Sequence, residues 1–218
     1  MADYRVTMAL IWSVFDEFMA TDASGFTEAA VPEIGSTHPG SKHWVSNYFL
    51  NSVFRGQYGS PTRELVAVLL RRVTIAFEEY DLAKARTDEF VQRRLDGQQP
   101  MRVYLSALHH WEQCVAAAWQ AVAAWTKLTG EQAFEPDADS PSAEERLNHL
   151  YNGSKHTDSK IVTPGQMPES GPLAVWLTNE GLRSVEHLLT WSELAEVLDE
   201  LAKAADLLQD PKALTGTE

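Results

Sequence analysis

The sequence has a single cysteine, Cys114, among 218 residues. One thiol cannot close an intrachain disulfide, so no oxidising compartment is implied. It sits in Trp111-Glu112-Gln113-Cys114-Val115, an apolar helical context where a cysteine reads as a small buried hydrophobe rather than a nucleophile. Basic charge is scarce too. Against 31 Asp+Glu there are 18 Lys+Arg, a formal net charge of −13. This argues against a general coat for DNA or RNA, which needs clustered cations, but leaves room for a local basic site. No stretch of about 18 uncharged apolar residues occurs, so no membrane span is expected. The start, Met1-Ala2-Asp3-Tyr4-Arg5, is not a basic segment leading into an apolar run, and Asp16 and Glu17 interrupt the apolar residues after it. The expectation is no signal peptide and a cytoplasmic protein. Phosphate-binding glycine loops, a Gly-x-Ser-x-Gly elbow and paired-cysteine zinc motifs are also missing.

The residues that are present make a foldable chain. It is 44% hydrophobic with seven tryptophans, which excludes disorder. At this length roughly 70% of the unfolded surface can be buried, so neither metal nor disulfide is needed to hold a fold. Helical periodicity dominates. Met8, Ile11, Trp12, Phe15, Phe18 and Met19 predict a first helix over about 3–20. Residues 21–60 are rich in Pro, Gly, Ser and Thr but carry Trp44, Tyr48, Phe49 and Phe54, which predicts a packed loop with a short helix over about 42–54. Ser60-Pro61 reads as a helix start, and Leu65, Leu69, Val73, Phe77 and Tyr80 mark the buried face of a long helix to about Leu95. A third long helix spans about 101–128 and stops at Gly130. Its alanines, 116–118, 121, 123 and 124, allow close helix packing.

After an acidic connection, Ser142-Ala143-Glu144-Glu145 reads as a capping box opening a fourth helix that ends near Ser154. Residues 157–172, with Pro164, Gly165, Pro168, Gly171 and Pro172, read as loop. Leu173–Thr178, the turn Asn179-Glu180-Gly181 and a return from Leu182 predict a β-hairpin. Thr190-Trp191-Ser192-Glu193 is a second capping box, opening a last helix to about Leu208. The expected fold class is all-α: a single four- to five-helix bundle over 1–218, with a loop-rich insertion at about 21–60 and a small appended β-hairpin near 173–188.

The polar residues that depart from ordinary helix surface cluster in the window 146–160. It holds Arg146, Lys155 and Lys160 against the one acid Asp158, with His149 and His156 among them. A histidine there can serve as acid or base near neutral pH, and the cations can hold a phosphate. Asn152-Gly153 is a natural point for the chain to leave a helix.

Tyr151-Asn152-Gly153-Ser154-Lys155-His156, at the end of the penultimate bundle helix, resembles the signature region of HEPN domains. These are all-helical proteins frequent in prokaryotic toxin–antitoxin and antiphage systems, whose pattern is an arginine, a polar residue and, a few residues on, a histidine. The resemblance implies a metal-independent endoribonuclease that works as a homodimer and needs no cofactor or metal. It assigns His156 as acid/base and Asn152 as the polar residue that orients it or the phosphate, with Arg146 or Lys155 as the cation. Tyr151, His149 and Lys160 would line the substrate side. Tyr151 stands where the family has arginine, and Arg146 lies five residues earlier. Expected partners are a second copy of the chain, RNA, and a basic or antitoxin protein.

Two other readings stand beside this one. A non-catalytic helical interaction module would keep the bundle and lose the active pair. A metal- or small-molecule-binding bundle would gather Glu79, His109 and Glu145. Di-iron bundles use Glu-x-x-His on two helices, and this chain has none.

Overall fold

The computed structural model describes residues 11–135 and 140–212. The expected beginning of the first helix, with Met8, and the acidic Asp137 and Asp139 lie outside the described residues. Seven α-helices are seen among them: α1 (11–18), α2 (Trp44–Phe54), α3 (Thr62–Leu95), α4 (Met101–Thr129), α5 (Ala143–Lys155), α6 (Thr157–Val162) and α7 (Trp191–Leu208). A 3-10 turn, Ser41–His43, leads into α2. Three short strands, β1 (Trp176–Leu177), β2 (Gly181–Arg183) and β3 (Leu188–Thr190), form an antiparallel sheet in that order. The chain is thus predominantly α-helical with a small appended sheet.

The spine is the α3–α4 pair. A five-residue link ending in Pro100 joins them, and Gly97, at φ +75°, turns the chain where a side chain would be strained. Such a short link forces the helices antiparallel, and the cross-helix contacts keep that register: Phe90 meets Tyr104, Trp111 donates from Nε1 to Thr87 Oγ1 at 3.0 Å, and Tyr80 meets Trp111 edge to face. α4 ends at Gly130, whose φ of +76° lets its N–H cap the Thr126 carbonyl. Trp44, Tyr80, Tyr104 and Trp111 are almost wholly buried, in one apolar cluster that also takes in α5, α7 and the sheet.

The segment 21–60 proves to be a strap held at several points. Tyr80 donates to the Pro32 carbonyl at 2.9 Å, His38 Nε2 meets Asp199 Oδ1 at 2.8 Å, and Trp44 donates from Nε1 to Asp206 Oδ1 at 2.6 Å. Arg94, near the end of α3, donates to the carbonyls of Ala23, Ser24 and Phe26.

Several local expectations are revised. α3 begins at Thr62 with Pro61 as N-cap and no side-chain cap, so Ser60 does not cap it. Residues 157–162 are helical, not loop. The chain bends at His156 (φ −116°, ψ 36°) and resumes, because the first proline comes only at 164 and Thr157 Oγ1 bonds the Gly153 and Ser154 carbonyls. The hairpin β1–β2 is present in the register Leu177↔Leu182, and a third strand, β3, extends it. On α1, Trp12 and Phe15 are buried while Phe18 faces out, as does Met19 just past its end.

Of the two capping boxes, Thr190–Glu193 is complete in both directions, whereas Ser142 only accepts from the Glu145 N–H. Thr190→Ala removes one cap of α7 and is expected to cost about 1 kcal/mol, read as a lower urea midpoint with an unchanged m-value.

Candidate functional site

α5 carries the residues singled out by sequence, but it spreads them. At 1.5 Å per residue, Arg146 and His156 stand about 15 Å apart along the chain's helical path. Arg146, in the first turn, donates to the Pro141 carbonyl at 2.8 Å and forms an ion pair with Glu193, the residue that completes the α7 capping box. The arginine therefore ties the start of α5 to the start of α7. Asn152 donates to Asn148 Oδ1 at 2.8 Å, one turn back. Lys155 lies over the Tyr151 ring, 5.4 Å from its centroid. His156 is exposed at the C-cap of α5, its N–H bonded to the Asn152 carbonyl.

Two of the predicted residues do meet. His149 and Lys160 line one shallow cleft, together with Gly153, Gln166, Ser184, Glu186 and His187. α5 supplies His149 and Gly153, α6 supplies Lys160, the segment after α6 supplies Gln166, and the β2–β3 turn supplies Ser184, Glu186 and His187. That turn is closed by Ser184, which donates its N–H to the His187 carbonyl at 2.8 Å and accepts the His187 N–H on Oγ at 3.2 Å. The backbone of His187 is thereby fixed, and its ring stacks on His149 with centroids 4.0 Å apart and planes 19° apart. Lys160 Nζ donates to Gln166 Oε1 at 2.6 Å, and Glu145 Oε1 lies 3.7 Å from His149 Nε2.

The electrostatics of the two rings differ. Burial, followed by the charge of the neighbouring His149, holds His187 below the ordinary histidine range, while Glu186 and Glu145 pull the other way. His187 is 18% exposed and His149 44% in their side chains, so the former is the drier ring. The lowered His187 favours the neutral imidazole, the form that can accept a proton. The cleft thus brings two imidazoles and the Lys160 ammonium together in one place.

Sequence reasoning missed His187, Ser184 and Glu186. Val185-Glu186-His187 has no motif spacing, and only the turn between β2 and β3 brings it to α5. The carboxylate–histidine cage is not gathered. Glu79 pairs instead with His110 Nδ1 at 2.7 Å, His109 is exposed, and among the described residues no group of three or more His, Cys, Asp or Glu side chains is placed to hold a metal ion. Ser154, next to Gly153 in the chain, donates to Glu112 Oε1 at 2.9 Å, and burial raises the Glu112 carboxyl above its usual range. Among the described residues no helix is long and apolar enough to cross a membrane. Comparison of the chain with family models, with curated proteins and with solved structures gave no match.

Proposed function

We propose that this chain is a HEPN-like protein with an RNA-directed role in prokaryotic defence or toxin–antitoxin biology, acting as a metal-independent endoribonuclease at the α5 cleft. The observation that carries the chemistry is the stacked His149–His187 pair sharing that cleft with Lys160. The family resemblance carries the biology, and with it a homodimer, RNA as substrate and a basic or antitoxin protein as partner.

In this reading the neutral His187 takes the ribose 2′-hydroxyl proton. The 2′-oxygen attacks phosphorus, the bond to the 5′-oxygen breaks, and His149, in the role of acid, gives that oxygen its proton. A 2′,3′-cyclic phosphate and a 5′-hydroxyl end result. Lys160 offsets the charge on the phosphorane-like transition state. Arg146 works as a positioning residue, setting the angle at which α5 presents His149.

The test uses the purified full chain with labelled RNA in excess chelator, beside His187→Ala, His149→Ala, Lys160→Ala and His156→Ala. Cleavage by the wild type is expected to be lost in the first two and reduced in the third. The limb of the pH profile set by the base should lie below 6.5, because burial lowers His187 from the ordinary value. Cleavage that survives His187→Ala, or that needs added metal, would sink this mechanism. Loss in His156→Ala alone would return the active role to the motif histidine.

One observation favours the non-catalytic interaction module. The Arg146 guanidinium is engaged by Glu193 and Pro141, and Tyr151 stands where the family has arginine. A chain that binds RNA or a protein partner without cleaving RNA in that assay would have this second function.

A further inference from the structure

The end of α4 and the second half of α7 do not close fully on each other. Between them lies a groove of about 420 Å³, within the range of small-molecule sites, roughly 300–1,000 Å³. Its apolar lining comes from Val122 and Trp125 of α4 and from Val197, Leu201 and Leu207 of α7. Val122, Val197 and Leu201 are buried, so the core fixes that lining in place, whereas Leu207 stays 43% exposed. The charged lining is mostly acidic. Glu131 follows Gly130, the left-handed stop of α4, and Glu144 stands in the first turn of α5. Glu200 and Lys203 of α7 complete it, and Lys203 Nζ is held by Asp199 at 2.8 Å and by Glu200 at 2.7 Å. Among the described residues, Glu131 and Glu144 form no ion pair.

We propose that this groove binds an organic cation: a small amine or quaternary ammonium carried on an aromatic or branched aliphatic body. The apolar lining selects the body, and the charges select the head. Glu131, Glu144 and Glu200 stand against the one ammonium of Lys203, which two carboxylates already share. An anionic ligand meets net repulsion there. A neutral ligand covers Glu131 and Glu144 without giving them a partner, at a desolvation cost. A cationic head replaces the lost water with an ion pair. Two further features carry the same sign. The last turn of α7, which contributes Leu207, has no basic residue, so the negative end of that helix dipole is uncompensated. Trp125 adds an indole, the ring that attracts an ammonium best. The groove shares no lining residue with the α5 cleft, and it is not the Glu79, His109 and Glu145 set considered from the sequence. It therefore stands or falls independently of RNA cleavage.

The test is isothermal titration of the purified full chain with three compounds that share one apolar body: para-phenylbenzylamine, para-phenylbenzyl alcohol and para-phenylbenzoate. The amine is expected to bind at one site, about tenfold more tightly than the alcohol and more tightly still than the carboxylate, with the differences shrinking as salt is raised. The double variant Glu131→Gln/Glu144→Gln should bring the amine down to the affinity of the alcohol and leave the alcohol unchanged. Glu131 is exposed and Glu144 half-buried, so neither belongs to the core, and circular dichroism melts check the fold. Ala204→Phe, at a half-buried lining position, fills the groove and should abolish binding of amine and alcohol alike. An amine that does not bind up to its solubility limit overturns the site. An alcohol or carboxylate that binds as well as the amine overturns the class of ligand. Amine binding that persists in both variants lies elsewhere on the protein and overturns the proposal too. So does a helical Lys/Leu peptide that binds the wild type but not Ala204→Phe where the amine fails, because the groove would then dock a protein segment.

Discussion

Trp111→Ala is expected to destabilise the protein by about 3–5 kcal/mol, at the upper end for a single truncation. The indole is fully buried at the junction of α3, α4 and α7. It meets Tyr80 edge to face with centroids 5.1 Å apart, and Trp191, the first residue of α7, at 4.7 Å. Truncation opens a cavity among three elements that cannot all close in on it. It also deprives the fully buried Thr87 of the donor on its hydroxyl, an added desolvation cost. Urea unfolding should show the midpoint falling with little change in m, and thermal melting should drop by roughly 10 °C or more. Trp111→Phe separates the contributions, because it keeps a ring in the cavity and loses the N–H. If Trp111→Ala costs under about 1 kcal/mol, the junction is not a packing centre of the core.

Arg94→Met comes next, with an expected loss of about 2–4 kcal/mol, since hydrogen bonds to a charged donor are worth more than neutral ones and the three accepting carbonyls are left without it. Its guanidinium donates to Ala23, Phe26 and Ser24 at 2.8–2.9 Å and lies 4.5 Å from the Trp12 ring centroid. Methionine retains much of the apolar stem, so the loss reports the head group. Burial lowers the Arg94 pKa from its ordinary value, but an arginine stays charged across the working range, so the effect should not vary with pH near neutrality. The local signature is faster hydrogen exchange at Gly25 and Phe26, whose N–H groups close turns onto Asp22 and Ala23. A lower melting temperature with unchanged exchange there would show that Arg94 acts through Trp12 packing and not through the strap.

The bundle was legible because it is built from local signals. The 3.6-residue stripes of α3 and α4, the stop at Gly130 and the Thr190–Glu193 box each act within a few residues, and the structure places the elements where those signals put them. α6 was hidden because the Pro and Gly of 164–172 coloured the reading of the six residues before them. β3 was hidden because Leu188-Leu189-Thr190 is too short to show alternation.

The site was legible only in part. His149 and Lys160 were found by charge and residue type, and they share a cleft. Arg146 was found by the same signal, but its guanidinium is committed to Glu193, far along the chain. His187 was invisible, since nothing in Val185-Glu186-His187 refers to α5. Val68 and Leu82 are as apolar in the sequence as the buried positions of α3, yet they face outward. Periodicity marks apolar positions without saying which set meets the core.

By itself, then, the sequence determined the helices, their caps and the acidic character of a chain with one local cationic window, since these depend on neighbours within a turn or on composition. Tertiary structure alone decided which of those cations are engaged, which two histidines stack, and which apolar residues of α3 meet the core. Those outcomes depend on contacts between residues far apart in the chain, and a hydrogen bond or ring stack is set by distances of a few ångströms that no spacing rule encodes.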